Sequence, residues 1–154
     1  IRLKVGVVWA GNPGHKGDRQ RSLSAADLLP RLLMPGVQLY SLQKQPRTED
    51  MQVMSALGRD LVDLAPALAD FADTAAAVAA LDLVIAVDTS VAHLAGALGK
   101  PVLLLLPHAA DFRWMRQRTD TPWYPTATLL RQQAFGDWDS VIDRLRDELR
   151  RFQH

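Results

Sequence analysis

Short apolar runs alternate with amphipathic stretches along the chain. Val5 to Trp9 is apolar without polar alternation, the mark of a strand covered on both faces. A glycine-rich basic stretch follows, residues 10 to 21. Ser24 then reads as a helix N-cap with Asp27 in the first turn, and Leu28, Leu29, Leu32 and Leu33 recur at helical spacing. Pro30 weakens that helix, because proline lacks an N–H and is tolerated only near the first turn. Pro35 and Gly36 end it. Val37 to Leu42 predicts the second strand and Arg47 to Leu57 a polar helix after a loop. Leu61 to Leu64 predicts a short third strand or extended link, and Thr74 to Leu81 an alanine-rich helix with Asp73 as its N-cap.

The clearest unit comes next. Leu83 to Val87 predicts a strand, Asp88 to Ser90 a turn, and Val91 to Leu98 a helix ended by Gly99. Pro101 opens another strand, Val102 to Leu106. A strand, a short helical crossover and a strand require parallel pairing. Thr126 to Leu130 predicts the last strand, and Trp138 to Phe152 a closing helix with Val141, Ile142, Leu145 and Leu149 on one face. Strands alternating with helices throughout predict an α/β fold, a Rossmann-like doubly wound parallel sheet.

Composition narrows this picture. With 154 residues and 48% hydrophobic content, the chain is expected to be a single domain with a real core. A formal charge of +1 gives no global pull toward nucleic acid or an acidic membrane, so any basic site must be local. The absence of cysteine excludes disulfides and thiolate metal sites and fits a cytoplasmic protein. No apolar run has the length of a membrane span, and no signal peptide is visible. The chain starts at Ile1 and enters a strand almost at once, which leads to the expectation of a domain, residues 1–154, excised from a longer protein.

Ligands of open parallel sheets bind outside the carboxyl ends of the strands, and two such ends carry unusual residues. After Trp9, Gly11, Gly14 and Gly17 permit close backbone approach, while Lys16, Arg19 and Arg21, with His15, supply positive charge beside a helix N-terminus. That suits a phosphate; the plain alternative is a solvated surface loop. Lys16 stands where the second glycine of a Walker A loop belongs, and the dinucleotide G-x-G-x-x-G is missing. After Val87, Asp88, Thr89 and Ser90 end a strand and open a helix whose first turn holds His93. Thr89 and Ser90 offer hydroxyls, and Asp88 can accept from a sugar or cap the helix. Taken singly these residues are ordinary caps and a half-buried histidine; their combination at a strand's carboxyl end points to a ligand site. Asp137-Trp138-Asp139 has the spacing of a metal-holding D-x-D, but its place before a helix makes capping the better reading. The histidines at 15, 93, 108 and 154 form no i, i+4 pair, so no metal site is expected. Trp114, Trp123 and Tyr124 follow a strand end and either rim a pocket or cover the sheet edge.

The run from Asp88 to Pro101 resembles the signature of glycosyltransferase family 9, the heptosyltransferase-like family: Asp88, Thr89, His93, Leu98, Gly99 and Pro101 stand in its register. The opening, residues 8 to 16, and the segments Pro122 to Pro125 and Gly136 to Trp138 resemble the related domain that follows tetratricopeptide repeats in many bacterial proteins. The resemblance implies the C-terminal, nucleotide-sugar-binding half of a GT-B fold, with the acceptor domain, and possible repeats, elsewhere in the full chain. It implies a nucleoside diphosphate sugar as donor substrate, no further cofactor and no obligatory metal. The implied ligand-binding set is Asn12, Lys16, Arg21, Asp88, Thr89, Ser90 and His93. Arg21 occupies the place of the family's phosphate lysine, with Lys16 nearby, and Ser90 replaces the family's glycine. The family's catalytic base belongs to the other half, so none is assigned. Two other functions compete: a non-catalytic sugar-nucleotide or protein-binding module attached to helical repeats, and a dinucleotide oxidoreductase domain, which the missing glycine fingerprint disfavours.

Overall fold

A computed structural model describes residues 2–11, 23–107, 126–134 and 136–153. Among these, six strands form one sheet: β1 (Leu3–Val8), β2 (Val37–Ser41), β3 (Leu61–Asp63), β4 (Leu83–Val87), β5 (Val102–Leu106) and β6 (Ala127–Arg131). Their order is β3-β2-β1-β4-β5-β6, and every pairing is parallel. The helices are α1 (Ala25–Leu28), α2 (Thr48–Leu57), α3 (Phe71–Ala80), α4 (Ser90–Ala97) and α5 (Trp138–Phe152). The expected doubly wound α/β sheet is therefore present.

The apolar strands are continuous runs because helices cover both faces of the sheet. Successive residues serve opposite layers. In β4, Leu83, Ile85 and Val87 join one core with Val5, Val7 and Trp9, beneath α1 and α5. Val84 and Ala86 join the other core with Val8, beneath α3 and α4. Val141, Ile142, Leu145 and Leu149 of α5 are fully buried, each side chain contributing about 1.5–3 kcal/mol. Gly6 lies mid-strand in β1, where an added Cβ would come within 2.6 Å of Leu81 Cδ1 and 2.9 Å of Leu42 Cδ1. Its missing side chain lets two core leucines close over the sheet.

Three local expectations need correction. The leucine stripe after Ser24 is broken, because α1 gives way to a 3₁₀ turn over Leu29–Leu32 that contains Pro30. A turn of three residues drifts from helical spacing; Leu28, Leu29 and Leu32 are buried but Leu33 is 38% exposed. The N-cap of α3 is Asp70, not Asp73: Asp70 is extended and its Oδ1 accepts from the Asp73 N–H at 2.8 Å. Asp73 lies in the first turn, and its carboxylate reaches back to the Ala69 N–H at 3.0 Å. Helix α3 thus starts three residues earlier than the alanine run suggested. The strand expected over Val5 to Trp9 runs Leu3–Val8, leaving Trp9 as the first residue beyond it.

Candidate functional site

Strand order reverses between β1 and β4: the chain moves outward through β2 and β3, then returns to the other side of β1. Such a reversal parts the connections above the carboxyl ends and opens a crevice. A cavity of ≈ 230 Å³ lies there, lined by Ala10 and Gly11 after β1, Gln43 to Gln45 after β2, and Thr89 to Val91 after β4. A larger cavity of ≈ 620 Å³ adjoins it over β2 and β3, with Met51, Met54, Leu61 and Pro66 in its wall.

The β4 turn is built locally. Thr89 has extended backbone and caps α4: its Oγ1 accepts from Ala92 N–H at a long 3.5 Å and donates to Val87 O at 3.2 Å. Ser90 is the first helical residue, and Ser90 and Val91, at the helix N-terminus, line the crevice. Asp88 is not the cap. Its Oδ1 lies 2.9 Å from His93 Nε2, both side chains being mostly buried. A carboxylate can only accept, so Nε2 carries the proton in this pair. The helix ends at Gly99, whose φ of +72° is the left-handed conformation that glycine adopts without strain. Lys100 then donates from Nζ to Leu81 O at 2.6 Å, holding the end of α3 against the unit.

Asp88, Thr89, Ser90 and His93 are thus brought together at one strand end. Asn12, Lys16 and Arg21 lie outside the described residues, as do Arg19, His15, His108 and the aromatics at 114, 123 and 124. Both ends flanking residues 12–22 are nonetheless tied to one point. Leu23 N–H donates to Trp9 O at 2.8 Å. Gln43 Oε1 accepts from the N–H groups of Trp9 (3.1 Å) and Ala10 (3.0 Å), while its Nε2 donates to Ala10 O (3.1 Å) and Lys44 O (3.3 Å). That fills the amide's hydrogen-bonding capacity. Asp50, 4% exposed in the first turn of α2, accepts from Trp9 Nε1 at 3.1 Å and from Ala25 N–H, at the start of α1, at 2.9 Å.

Sequence reasoning missed Gln43 and Asp50. Gln43 reads as loop and Asp50 as an acid suited to a helix start. The buried indole of Trp9 demanded an acceptor somewhere, but nothing local named it. Asp137 is the N-cap of α5, accepting from Ser140 N–H at 3.1 Å and Ser140 Oγ–H at 2.9 Å. These bonds, with the nearby Arg144 guanidinium, hold its carboxyl below the usual range. Asp139 instead pairs with Arg31 at 2.9 Å. Among the described residues no group of three or more His, Asp or Glu is placed to hold a metal, and no helix is long and apolar enough to cross a membrane.

The fold is similar to that of the E. coli ADP-heptose LPS heptosyltransferase II, with a TM-score of 0.70 over 99% of this chain at 18% identity. Protein FlbA of Caulobacter vibrioides is 32% identical over 157 residues, covering 97% of this chain. The chain spans 46% of the heptosyltransferase and 25% of FlbA. The family model for glycosyltransferase family 9 (heptosyltransferase) matches residues 26–134, which takes in β2 through β6 and the whole Asp88–His93 turn. On that match, the chain belongs to glycosyltransferase family 9.

Proposed function

We propose that the chain is the donor-binding half of a GT-B glycosyltransferase and that the crevice between β1 and β4 takes the diphosphate of a nucleotide sugar. The observation that carries this is the position of Thr89, Ser90 and the α4 N-terminus at the sheet's switch point, in a chain of this family. The leaving group in glycosyl transfer is the nucleoside diphosphate, whose negative charge grows as the glycosidic bond breaks. The free N–H groups at the α4 N-terminus and the Ser90 hydroxyl would stabilise that charge. Lys16 and Arg21, expected from the sequence to meet the same phosphates, would add two cations. Asp88, whose Oδ1 lies 2.9 Å from His93 Nε2, would accept from a sugar hydroxyl. The base would enter the apolar cavity over β2 and β3, whose size suits a ring system. The acceptor and the catalytic base belong to a partner domain.

Calorimetry with ADP, UDP, GDP and NAD tests the reading. One nucleoside diphosphate is expected to bind and NAD is not. The 154-residue chain alone is expected to transfer no sugar. Silence with all the diphosphates would favour a non-catalytic module, and NAD binding an oxidoreductase domain.

A further inference from the structure

We infer that Lys44 binds the nucleoside-proximal phosphate of the donor, at the junction of the two cavities; this rests on the donor-binding reading above. Lys44 and Gln45 are the residues common to the walls of the switch-point crevice and of the larger cavity over β2 and β3. A ligand with its anionic part in the first and a flat apolar part in the second must cross this pair. In a nucleoside diphosphate the groups at that crossing are the ribose and the phosphate attached to it.

Charge supports the assignment. Among the described residues that line either cavity, Lys44 is the one cation. No carboxylate among the described residues pairs with it. The larger cavity's acid, Asp63, is at the end of β3, with Oδ1 accepting from Ala65 N–H at 3.1 Å. In dinucleotide-binding sheets an acid near the end of the second strand holds the ribose hydroxyls. Here the end of β2 carries Gln43, fully occupied in clamping Trp9 and Ala10, then Lys44 and Gln45. This strand end is therefore equipped for an anion rather than a diol.

The backbone fixes the lysine's place. Gln43 Nε2 donates to Lys44 O, and Gln45 takes a left-handed φ of +53°, sparsely populated for a non-glycine residue. A clamped residue before Lys44 and a sharp turn after it keep this point of the chain over the crevice.

The test is calorimetry on the parent chain, Lys44→Ala and Lys44→Arg. ADP, UDP and GDP are titrated first, and the diphosphate that binds is compared with its monophosphate and its nucleoside. Lys44→Ala is expected to weaken diphosphate and monophosphate about tenfold or more, the scale of one charge-assisted hydrogen bond. The nucleoside is expected to bind parent and variant alike, and Lys44→Arg to retain most of the affinity. Lys44 is exposed, so an unchanged melting temperature is expected for both variants. Parent binding with undiminished affinity in Lys44→Ala overturns the inference and leaves donor binding intact. Equal losses for nucleoside and diphosphate also overturn it, since Lys44 would then only shape the cavity. A parent that binds none of the three diphosphates removes the donor reading and this inference with it.

Discussion

Replacing Asp50 by alanine should destabilise the fold far more than an ordinary helix-surface substitution. Asp50 is the one buried residue of α2, and its two oxygens serve different elements: Trp9 just beyond β1 and Ala25 at the start of α1. Alanine would leave the indole N–H and the Ala25 N–H without acceptors in a buried setting. Each unsatisfied donor costs about 1–3 kcal/mol, so the expected loss is roughly 2–6 kcal/mol, against about 5–15 kcal/mol for a typical domain. Asparagine keeps one acceptor and turns an NH₂ toward the other donor, so Asp50→Asn should fall between parent and alanine. Urea unfolding followed by circular dichroism measures this as a lowered midpoint at unchanged slope. A double-mutant cycle isolates the indole bond. Trp9→Phe removes the donor, so Asp50→Ala should cost less in the Trp9→Phe background than in the parent. An Asp50→Ala unfolding free energy within about 0.5 kcal/mol of the parent, the range of neutral surface changes, would refute the reasoning.

Three further outcomes follow from the packing and the caps. Gly6→Ala should cost about 1–3 kcal/mol by overpacking, read in the same urea assay, because Leu81 and Leu42 already occupy the space of a Cβ. Gln43→Glu replaces a donor by an oxygen facing Ala10 O and Lys44 O, at 3.1 and 3.3 Å from the present nitrogen; it should lower the melting temperature at neutral pH and recover part of the loss in acid, where the new carboxyl can protonate and donate. The Asp137 carboxyl is held low by the Ser140 hydrogen bonds, so its folded pKa lies below its unfolded one. Its stabilisation is then present above the usual carboxylate range, about pH 4, and is lost as pH falls through the lowered folded value. The melting-temperature gap between parent and Asp137→Ala should shrink over that window, and a gap independent of pH would contradict it.

What was legible in the sequence was whatever local pattern controls. The run from Leu83 to Leu106 gave its strands, turn and helix because both strands are short apolar runs and Gly99 and Pro101 punctuate them. The α5 face was readable for the same reason, since Val141, Ile142, Leu145 and Leu149 follow the helical period. Asp70 was passed over because Phe71-Ala72-Asp73 carries no helical signal distinct from the alanine run, whereas the cap depends on Asp70's extended backbone. Gln43, Lys44 and Asp50 owe their roles to partners brought close only by the sheet: Gln43 meets Ala10 across 33 positions and Asp50 meets Trp9 across 41. The Asp88–His93 pair stands between these cases. Sequence spacing put both residues at one strand end, and only the fold joined them.

The central claim, that a nucleoside diphosphate seats at the β1–β4 switch point, is tested most directly by amide hydrogen exchange with and without saturating ADP, UDP or GDP. With the diphosphate that binds, added protection is expected at Ala10–Gly11, Lys44–Gln45 and Thr89–Ala92, the three segments that meet over the crevice. Protection instead around Gly36 and Asp82, which bond to Leu3 and Lys4 at the amino end of the sheet, would contradict it. So would unchanged exchange with every one of the three nucleotides.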